Sequence, residues 1–230
     1  MPNVQVELRV VTPLFMGGAE PHGNPAEVRA LGVRGALRWW LRAALGGAGG
    51  AGADFSDTAA LWQAEAAVFG GVDSAQSKAS PVIVSVHTVQ GTPQPLVKER
   101  PVRPGTPVNG RDYLLYGMHG NRNNPAEARQ FYPPGTRFTL GLRSRLGADD
   151  AEAALERACA ALWLLVMLGG LGARTRRGAG CLAVESVTGE WPPNVPPLPL
   201  VRDLPSPAAL LHVLQRGLIQ IRQLFAGGPL

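Results

Sequence analysis

Four segments of the chain either alternate between apolar and polar residues or are rich in β-branched residues, and both patterns are typical of β-strands. Residues 4–10 read Val-Gln-Val-Glu-Leu-Arg-Val, with an apolar side chain at every second position. Residues 136–145 alternate in the same way, residues 81–90 are apolar and β-branched, and residues 180–188 complete the set. The chain is therefore expected to build a four-stranded core.

Helical segments separate these strands in an order that defines the fold class. Residues 33–45 are predicted to be helical, and Asp149 or Asp150 is expected to cap a second helix that ends at residue 168. An added helix over residues 57–69 is capped by its first residue, an aspartate. The order β-α-β-β-α-β is the ferredoxin-like arrangement. We therefore predict an α+β fold whose RRM-like antiparallel sheet carries the helices on one face.

Prolines and apolar residues divide the chain into three regions. Residues 1–190 form the predicted ferredoxin-like domain, with an irregular, proline-rich insertion at about 91–134. Residues 191–207 contain seven prolines and predict a stiff connector. Residues 208–230 contain an amphipathic C-terminal helix, which we expect to pack on its own domain, with docking to a partner subunit as the alternative. The apolar stripe of this helix consists of Leu210, Leu214, Leu218, Ile221 and Phe225.

The charge balance favours an acidic partner. The 230 residues include 22 basic and 17 acidic ones, giving a net charge of +5, and every basic residue except Lys78 and Lys98 is arginine. Arginine presents a planar fork of donors that matches phosphate oxygens, although an arginine-rich genome would explain the same bias. Net charge bears on nonspecific nucleic-acid affinity and not on the fold.

Several other classes of site are not indicated. Cys159 and Cys181 lie in apolar surroundings and form no C-x-x-C pair, so we expect reduced thiols and no zinc site. No pattern suggests a metal or a cofactor. The chain opens on a strand pattern and not on a signal peptide, and its longest apolar run, residues 158–168, is shorter than the about 20 residues that cross a bilayer. We expect a cytoplasmic protein.

Residues 169–180 combine five glycines with three arginines directly after the apolar end of a predicted helix. Glycine permits a positive φ and close backbone approach, and arginine forks suit a polyanion. The segment lacks the Gly-Lys-Ser/Thr ending of a nucleotide P-loop. We interpret it as a polyanion-binding turn; a helix end followed by a solvated basic turn is the alternative. Its candidate binding residues are Gly169, Gly170, Gly172, Arg174, Arg176 and Arg177.

Arginines also recur every four residues along the first predicted helix. Arg34, Arg38 and Arg42 share one helical face, Arg29 precedes them, and residues 28–53 contain no acidic residue. Such a row of like charges is explained if a bound polyanion neutralises it. A solvated face, or ion pairs with acids elsewhere in the chain, is an equally weighted alternative.

Two N-terminal motifs accompany the glycine- and arginine-rich segment. Residues 12–18 read Thr-Pro-Leu-Phe-Met-Gly-Gly, and residues 33–43 read Val-Arg-Gly-Ala-Leu-Arg-Trp-Trp-Leu-Arg-Ala. Together with residues 169–180, these motifs resemble the RAMP superfamily of CRISPR effector subunits in antiviral defence, and within it the first-subunit family of the Cmr (type III-B) complex. The resemblance covers roughly residues 4–45 and 135–187, and it implies a ferredoxin-like fold.

The same resemblance implies what the chain binds. In RAMP proteins the glycine-rich loop lies close to the first helix and contacts the guide RNA backbone, so Arg174, Arg176 and Arg177 would join Arg34 and Arg38 in one RNA-binding patch. The implied partners are guide RNA, target RNA and other Cmr subunits, with no membrane. The implied role is that of a non-catalytic subunit at one end of a multi-subunit filament.

The insertion offers a second candidate surface, because basic residues interleaved with aromatic ones can bind single strands by stacking. Its basic residues are Lys98, Arg100, Arg103, Arg111, Arg122 and Arg129. The aromatic residues that lie among these charges are Tyr113, Tyr116, Phe131 and Tyr132. A loop that packs against a neighbouring subunit is the alternative.

Two other functions stay open on the sequence. A metal-independent endoribonuclease that processes CRISPR transcripts needs a general base, for which His22 is the first candidate and His119 a weaker one. A purely structural cap would bind protein neighbours and contact little RNA.

Overall fold

The computed structural model describes residues 3–18, 25–48, 55–72, 77–97, 110–120 and 128–226. Its strands are β1 (Asn3–Val10), β2 (Gly71–Val72), β3 (Ser77–Lys78), β4 (Val82–Gln90), β5 (Gln94–Pro95), β6 (Gln130–Phe131), β7 (Arg137–Ser144) and β8 (Leu182–Gly189). Its helices are α1 (Ala30–Ala48), α2 (Thr58–Phe69), α3 (Gly110–Leu114), α4 (Ala151–Leu168) and α5 (Pro207–Ala226). No described helix is both long and apolar enough to cross a membrane.

The four long strands form one antiparallel sheet in the order β4-β7-β1-β8. This is the strand order of a ferredoxin-like β-α-β-β-α-β unit, so the predicted fold class is confirmed. Alternate side chains of a strand point to opposite faces, and in the central strand β1 the residues Val4, Val6, Leu8 and Val10 are all 0% exposed. These residues place the hydrophobic core on one side of the sheet.

The helices cover that apolar side. α1 packs beside α4 and contributes a stripe of buried residues at four-residue spacing, Val33, Leu37, Leu41 and Leu45. α4 is buried nearly all round because α2 also packs against it, and its Trp163 is completely buried. The added helix α2 therefore completes the same core.

The C-terminal helix packs on its own domain, against α1 and α4. Gly217 lies directly against the Trp163 ring, where a Cβ would overlap the ring carbons. Only part of the predicted apolar stripe is buried, since Ile221 is 4% exposed but Leu210 and Leu218 are 37% and 41% exposed. The first turns of α5 thus keep apolar side chains at the surface.

The predicted side-chain cap is present at the start of α2 but not at the start of α4. Asp57 caps α2, because its Oδ1 accepts a hydrogen bond from the Ala60 N–H at 2.9 Å. Asp150 occupies the N-cap position of α4, but its side chain makes no capping hydrogen bond and its φ is +52°. The left-handed backbone of Asp150 is not the extended backbone that lets a capping side chain reach the first free N–H groups.

The described parts of the insertion are more regular than predicted. β5 pairs with β6, and α3 lies between them in the chain. Together they enclose a second, smaller core, which consists of Phe15, Leu96, Leu115, Met118, Phe131 and Ala179. The insertion therefore packs on residues that flank the sheet instead of extending away from it.

Candidate nucleic-acid interface

The glycine- and arginine-rich loop, residues 169–180, folds back onto the chain that leaves β1. The Ala173 N–H donates to the Phe15 carbonyl at 2.8 Å, and the Gly180 N–H donates to the Pro13 carbonyl at 3.0 Å. The structure thereby brings together residues 12–18 and residues 169–180, and Gly169 also lies against Trp40 of the third motif, residues 33–43.

The glycines make this close packing possible. Gly172 has a φ of +82°, and a Cβ there would overlap the Phe15 carbonyl. A Cβ on Gly170 would lie 2.8 Å from the Gly180 carbonyl oxygen, and one on Gly169 would lie 2.7 Å from Nε1 of Trp40. These three glycines, which were candidates for RNA binding, thus have a structural role, which is to seat the loop against its neighbours.

The three arginines of the loop are arranged differently from one another. Arg174 has a left-handed backbone, and its Nη2 donates to the Tyr116 carbonyl at 2.5 Å. Arg177 is exposed and its Nη1 lies 3.4 Å from the Leu114 carbonyl, and Arg176 is exposed. Arg174 therefore anchors the loop to the insertion, while Arg176 and Arg177 present their charge at the surface.

The insertion places two aromatic rings beside this loop. Tyr113 and Tyr116 are 70% and 75% exposed, in the segment whose carbonyls accept from the loop arginines. Phe131 is buried, with its ring centroid 5.4 Å from that of Phe15, and the buried Tyr132 hydroxyl donates to a main-chain carbonyl. Of the four aromatic candidates, only the two tyrosines at 113 and 116 are available for stacking.

A buried pair of polar side chains holds the same segment. Nε2 of His119 lies 3.0 Å from Oδ1 of Asp112, and the two side chains are 5% and 9% exposed. The weaker of the two catalytic candidates is thus engaged with a carboxylate inside the insertion.

The arginines of α1 have partners that the sequence pattern did not identify. Glu65 of α2 is 1% exposed; its Oε1 accepts from Nε of Arg38 and its Oε2 lies 3.0 Å from Nη1 of Arg42. Arg34 donates from Nη2 to the Phe69 carbonyl, and Arg29 precedes the helix, with its carbonyl accepting from the first turn. For Arg38 and Arg42 the ion-pair alternative is correct.

Glu65 carried a signal that was readable in the sequence. It falls on the same helical face as Leu61 and Val68, which are apolar and buried. An acidic residue on such a face needs a charged partner, because a buried carboxylate without one is strongly unfavourable. The periodicity of α2 therefore predicts a basic partner, but not which one.

The described basic residues have two sets of neighbours, and the expectation of a single RNA-binding patch stays a prediction. Arg34 lies beside Arg145, which directly follows β7. Arg174 lies beside the chain that follows β1. Because β1 and β7 are antiparallel, their C-terminal ends lie at opposite ends of the sheet.

Several sequence candidates fall outside the described residues. They are His22, Lys98, Arg100, Arg103 and Arg122. Among the residues that the structure describes, no group of three or more histidine, cysteine or carboxylate side chains is placed to hold a metal ion.

Known proteins resemble this chain in sequence. The CRISPR system Cmr subunit Cmr1-2 of Pyrococcus furiosus is 28% identical over 190 residues, which cover 78% of this chain and 93% of that protein. The chain is thus a homologue of Cmr subunits over most of its length.

Known structures resemble its fold. The crystal structure of Cmr1 from Pyrococcus furiosus matches with a TM-score of 0.55 and 25% identity over 83% of this chain, which spans about half (51%) of that relative. A chain of the type III-B Cmr-β complex bound to cognate target RNA matches with a TM-score of 0.61 over 96% of this chain and 62% of its own length. The identity in that second match is 15%, so it bears on the fold alone.

A family model also matches this chain. The model of the RAMP superfamily matches residues 7–183, which include the second half of β1, α1, the insertion and the glycine- and arginine-rich loop. The match runs over well more than half of the 230 residues, and the ferredoxin-like sheet agrees with it. The chain belongs to the RAMP superfamily.

Proposed function

We propose that this chain is a non-catalytic RNA-binding subunit of a type III-B CRISPR (Cmr) ribonucleoprotein, working in the cytoplasm with other Cmr subunits. In this role it grips the guide RNA backbone and helps to capture target RNA. The observation that carries the proposal is the surface formed by exposed Arg176 and Arg177 next to exposed Tyr113 and Tyr116. We call these four residues the loop surface.

The chemistry of the loop surface suits a single RNA strand. Guanidinium groups bind phosphate oxygens without reading the bases, so they position a strand independently of its sequence. Exposed tyrosine rings offer a stacking platform for any base. A subunit of a guide-RNA complex needs this combination, because base pairing reads the sequence there and the protein holds the backbone.

The homology supports the same assignment. The relatives are named as subunits of a CRISPR Cmr system, and one solved complex with the same fold is a Cmr assembly bound to target RNA. A CRISPR-transcript endoribonuclease would depend on His22, and a protein-facing cap would leave the loop surface without RNA. Both alternatives are outcomes of the experiment that follows.

The test is a binding titration of the 230-residue chain with end-labelled, repeat-containing RNA, without metal, at several salt concentrations. We expect R176Q/R177Q to bind more weakly and to reduce the slope of log affinity against log salt by about two, since each arginine neutralises one phosphate. The control R202Q/R216Q removes two exposed charges elsewhere and should leave the slope unchanged.

Each departure from this result has a distinct meaning. An unaltered slope in R176Q/R177Q would show that the loop does not touch RNA. Cleavage of the RNA that disappears in His22→Ala would establish the nuclease instead. A wild-type chain that neither binds nor cuts RNA would favour the protein-facing cap.

A further inference from the structure

A second basic surface lies at the end of the sheet opposite the loop surface. It is an open groove of about 510 Å³ between α1, the β2–β3 hairpin and the residue that follows β7. The basic residues that line it are Arg34, Arg38, Lys78 and Arg145. Its described lining contains no acidic residue. We call it the hairpin groove.

Main-chain carbonyls fix two of these guanidinium groups. Arg145 donates from Nε to the Ser80 carbonyl at 2.7 Å, and Arg34 donates from Nη2 to the Phe69 carbonyl. A guanidinium has five N–H donors, so each of these bonds uses a small part of the fork. The side chains are thus oriented by neutral acceptors that do not cancel their charge.

Among the residues that the structure describes, the nearby acidic side chains balance this charge incompletely. Glu65 is buried behind the groove and already pairs with two arginines, Arg38 and Arg42. Asp149 and Asp150 line an adjoining cavity, and Lys78 and Arg145 line that cavity as well. Within the groove, burial together with the like charges of its neighbours Arg38 and Arg145 lowers the pKa of Arg34.

Converging cations repel one another, and an anion between them relieves that repulsion. Arginine forks oriented into an open groove match the oxygens of a phosphodiester better than they match a single small anion, because successive phosphates engage several forks at once. The hairpin groove is open to solvent and not enclosed, as a strand backbone requires.

We propose that the hairpin groove is a second backbone-binding site for RNA, in which Lys78 and Arg145 join Arg34 in contacting phosphates. The inference rests on the proposed function and extends it: one RNA-bound chain is held at both ends of its sheet. Neither Lys78 nor Arg145 stood out in the sequence, because one lies in a two-residue strand and the other just beyond a strand.

The test uses the full chain and the same RNA titration, with the variant K78Q/R145Q. We expect its salt slope to fall by about two and its affinity to fall roughly five- to tenfold at 0.1 M salt for each phosphate that is no longer neutralised. K78R/R145K keeps both charges and should keep the wild-type slope, and R202Q/R216Q is the matched control for removal of two exposed charges. Circular dichroism and thermal unfolding verify that each variant is folded.

Combining K78Q/R145Q with R176Q/R177Q separates the two surfaces. If both contact RNA, the slope falls by about four in the combined variant. If K78Q/R145Q binds RNA with the wild-type slope while R176Q/R177Q has a smaller slope, the hairpin groove is not an RNA site. The proposed function stands in that case. If the wild-type chain binds no RNA, both are overturned.

Inorganic phosphate serves as the second probe. Phosphate that binds the wild-type chain and not K78Q/R145Q, together with an unaltered RNA slope in that variant, would make the groove a small-anion site and overturn the assignment to RNA.

Discussion

Glu65 is the only charged residue of α2, and it changes how the arginines of α1 are understood. A buried carboxylate that accepts from two guanidinium groups links α2 to α1 by charge as well as by packing. It also divides the arginine row by function. Arg38 and Arg42 commit donors to the ion pair, whereas Arg34 donates to a neutral main-chain carbonyl and keeps its charge.

Replacing Glu65 with glutamine keeps the size of the side chain and removes its charge. We expect E65Q to lower the free energy of unfolding by about 1–3 kcal/mol, since breaking a buried ion pair is costly and partial exposure of the two arginines reduces that cost. Urea unfolding measures this change in the free energy of unfolding. The control is E190Q at an exposed position, and a destabilisation no larger than that of the control would contradict the role we assign to Glu65.

At the scale of elements, the glycine- and arginine-rich loop is built by close backbone approach. Its hydrogen bonds run to main-chain atoms of residues 13 and 15 and of the insertion, so the loop, the N-terminal motif and the insertion form one packed unit. The loop surface depends on this unit, because Arg176 and Tyr116 are displayed by different segments of the chain.

Substitutions at two glycines of the loop distinguish the effect of steric overlap from the effect of backbone strain. Gly172 and Gly178 both have positive φ values, +82° and +78°, but a Cβ overlaps Phe15 only at position 172, and nothing lies within 4 Å of one at position 178. We expect G178A to cost about 1–2 kcal/mol from the left-handed backbone alone. G172A should cost clearly more and should also weaken RNA binding, because the loop is displaced.

Thermal unfolding and RNA titration of the two variants provide the comparison. Equal destabilisation by G172A and G178A would show that the loop is not held against residue 15 in solution.

At the scale of the whole molecule, α5 closes the helical layer over α1 and α4. Its contact depends on Gly217, which admits the Trp163 ring. G217A should therefore loosen the docking of α5 and lower the melting temperature. The matched variant is G35A on the exposed side of α1, where nothing lies within 4 Å of a Cβ and alanine should stabilise the helix by up to about 1 kcal/mol.

Hydrogen exchange of α5 amides reports the docking directly. Faster exchange in G217A than in the wild type, with G35A unchanged, is the expected result. Identical exchange in all three proteins would mean that α5 does not depend on this contact.

The four long strands and the long helices of this molecule were predictable from sequence, because period-two and period-four patterns record which face of a strand or helix is buried. Strand β1 and the stripe of α1 are examples, and the β-α-β-β-α-β order then defines the sheet. The partners of charged side chains were not predictable in the same way. Glu65 and Arg38 are far apart in the chain, and no local pattern records a contact between two helices.

The same reason applies to the expected basic patch. Arg34 and Arg174 were grouped through a family resemblance, whereas the reach of each side chain depends on the local packing of α2 and of the insertion. The second core around Phe15 was also missed, since Leu96, Leu115 and Phe131 are spread over a proline-rich segment without periodicity.

The loop arginines hold the insertion through the carbonyl oxygens of residues 114 and 116, and every amino acid supplies such an oxygen. Side chains at these positions are therefore free to change in evolution while the anchor is kept. A tyrosine can be exchanged for a charge, an amide or another ring while the scaffold beneath it is unaffected. In this molecule the exposed side chains of the loop surface are thus separable from the main-chain contacts that hold them in place, so these positions can change what they bind at little structural cost.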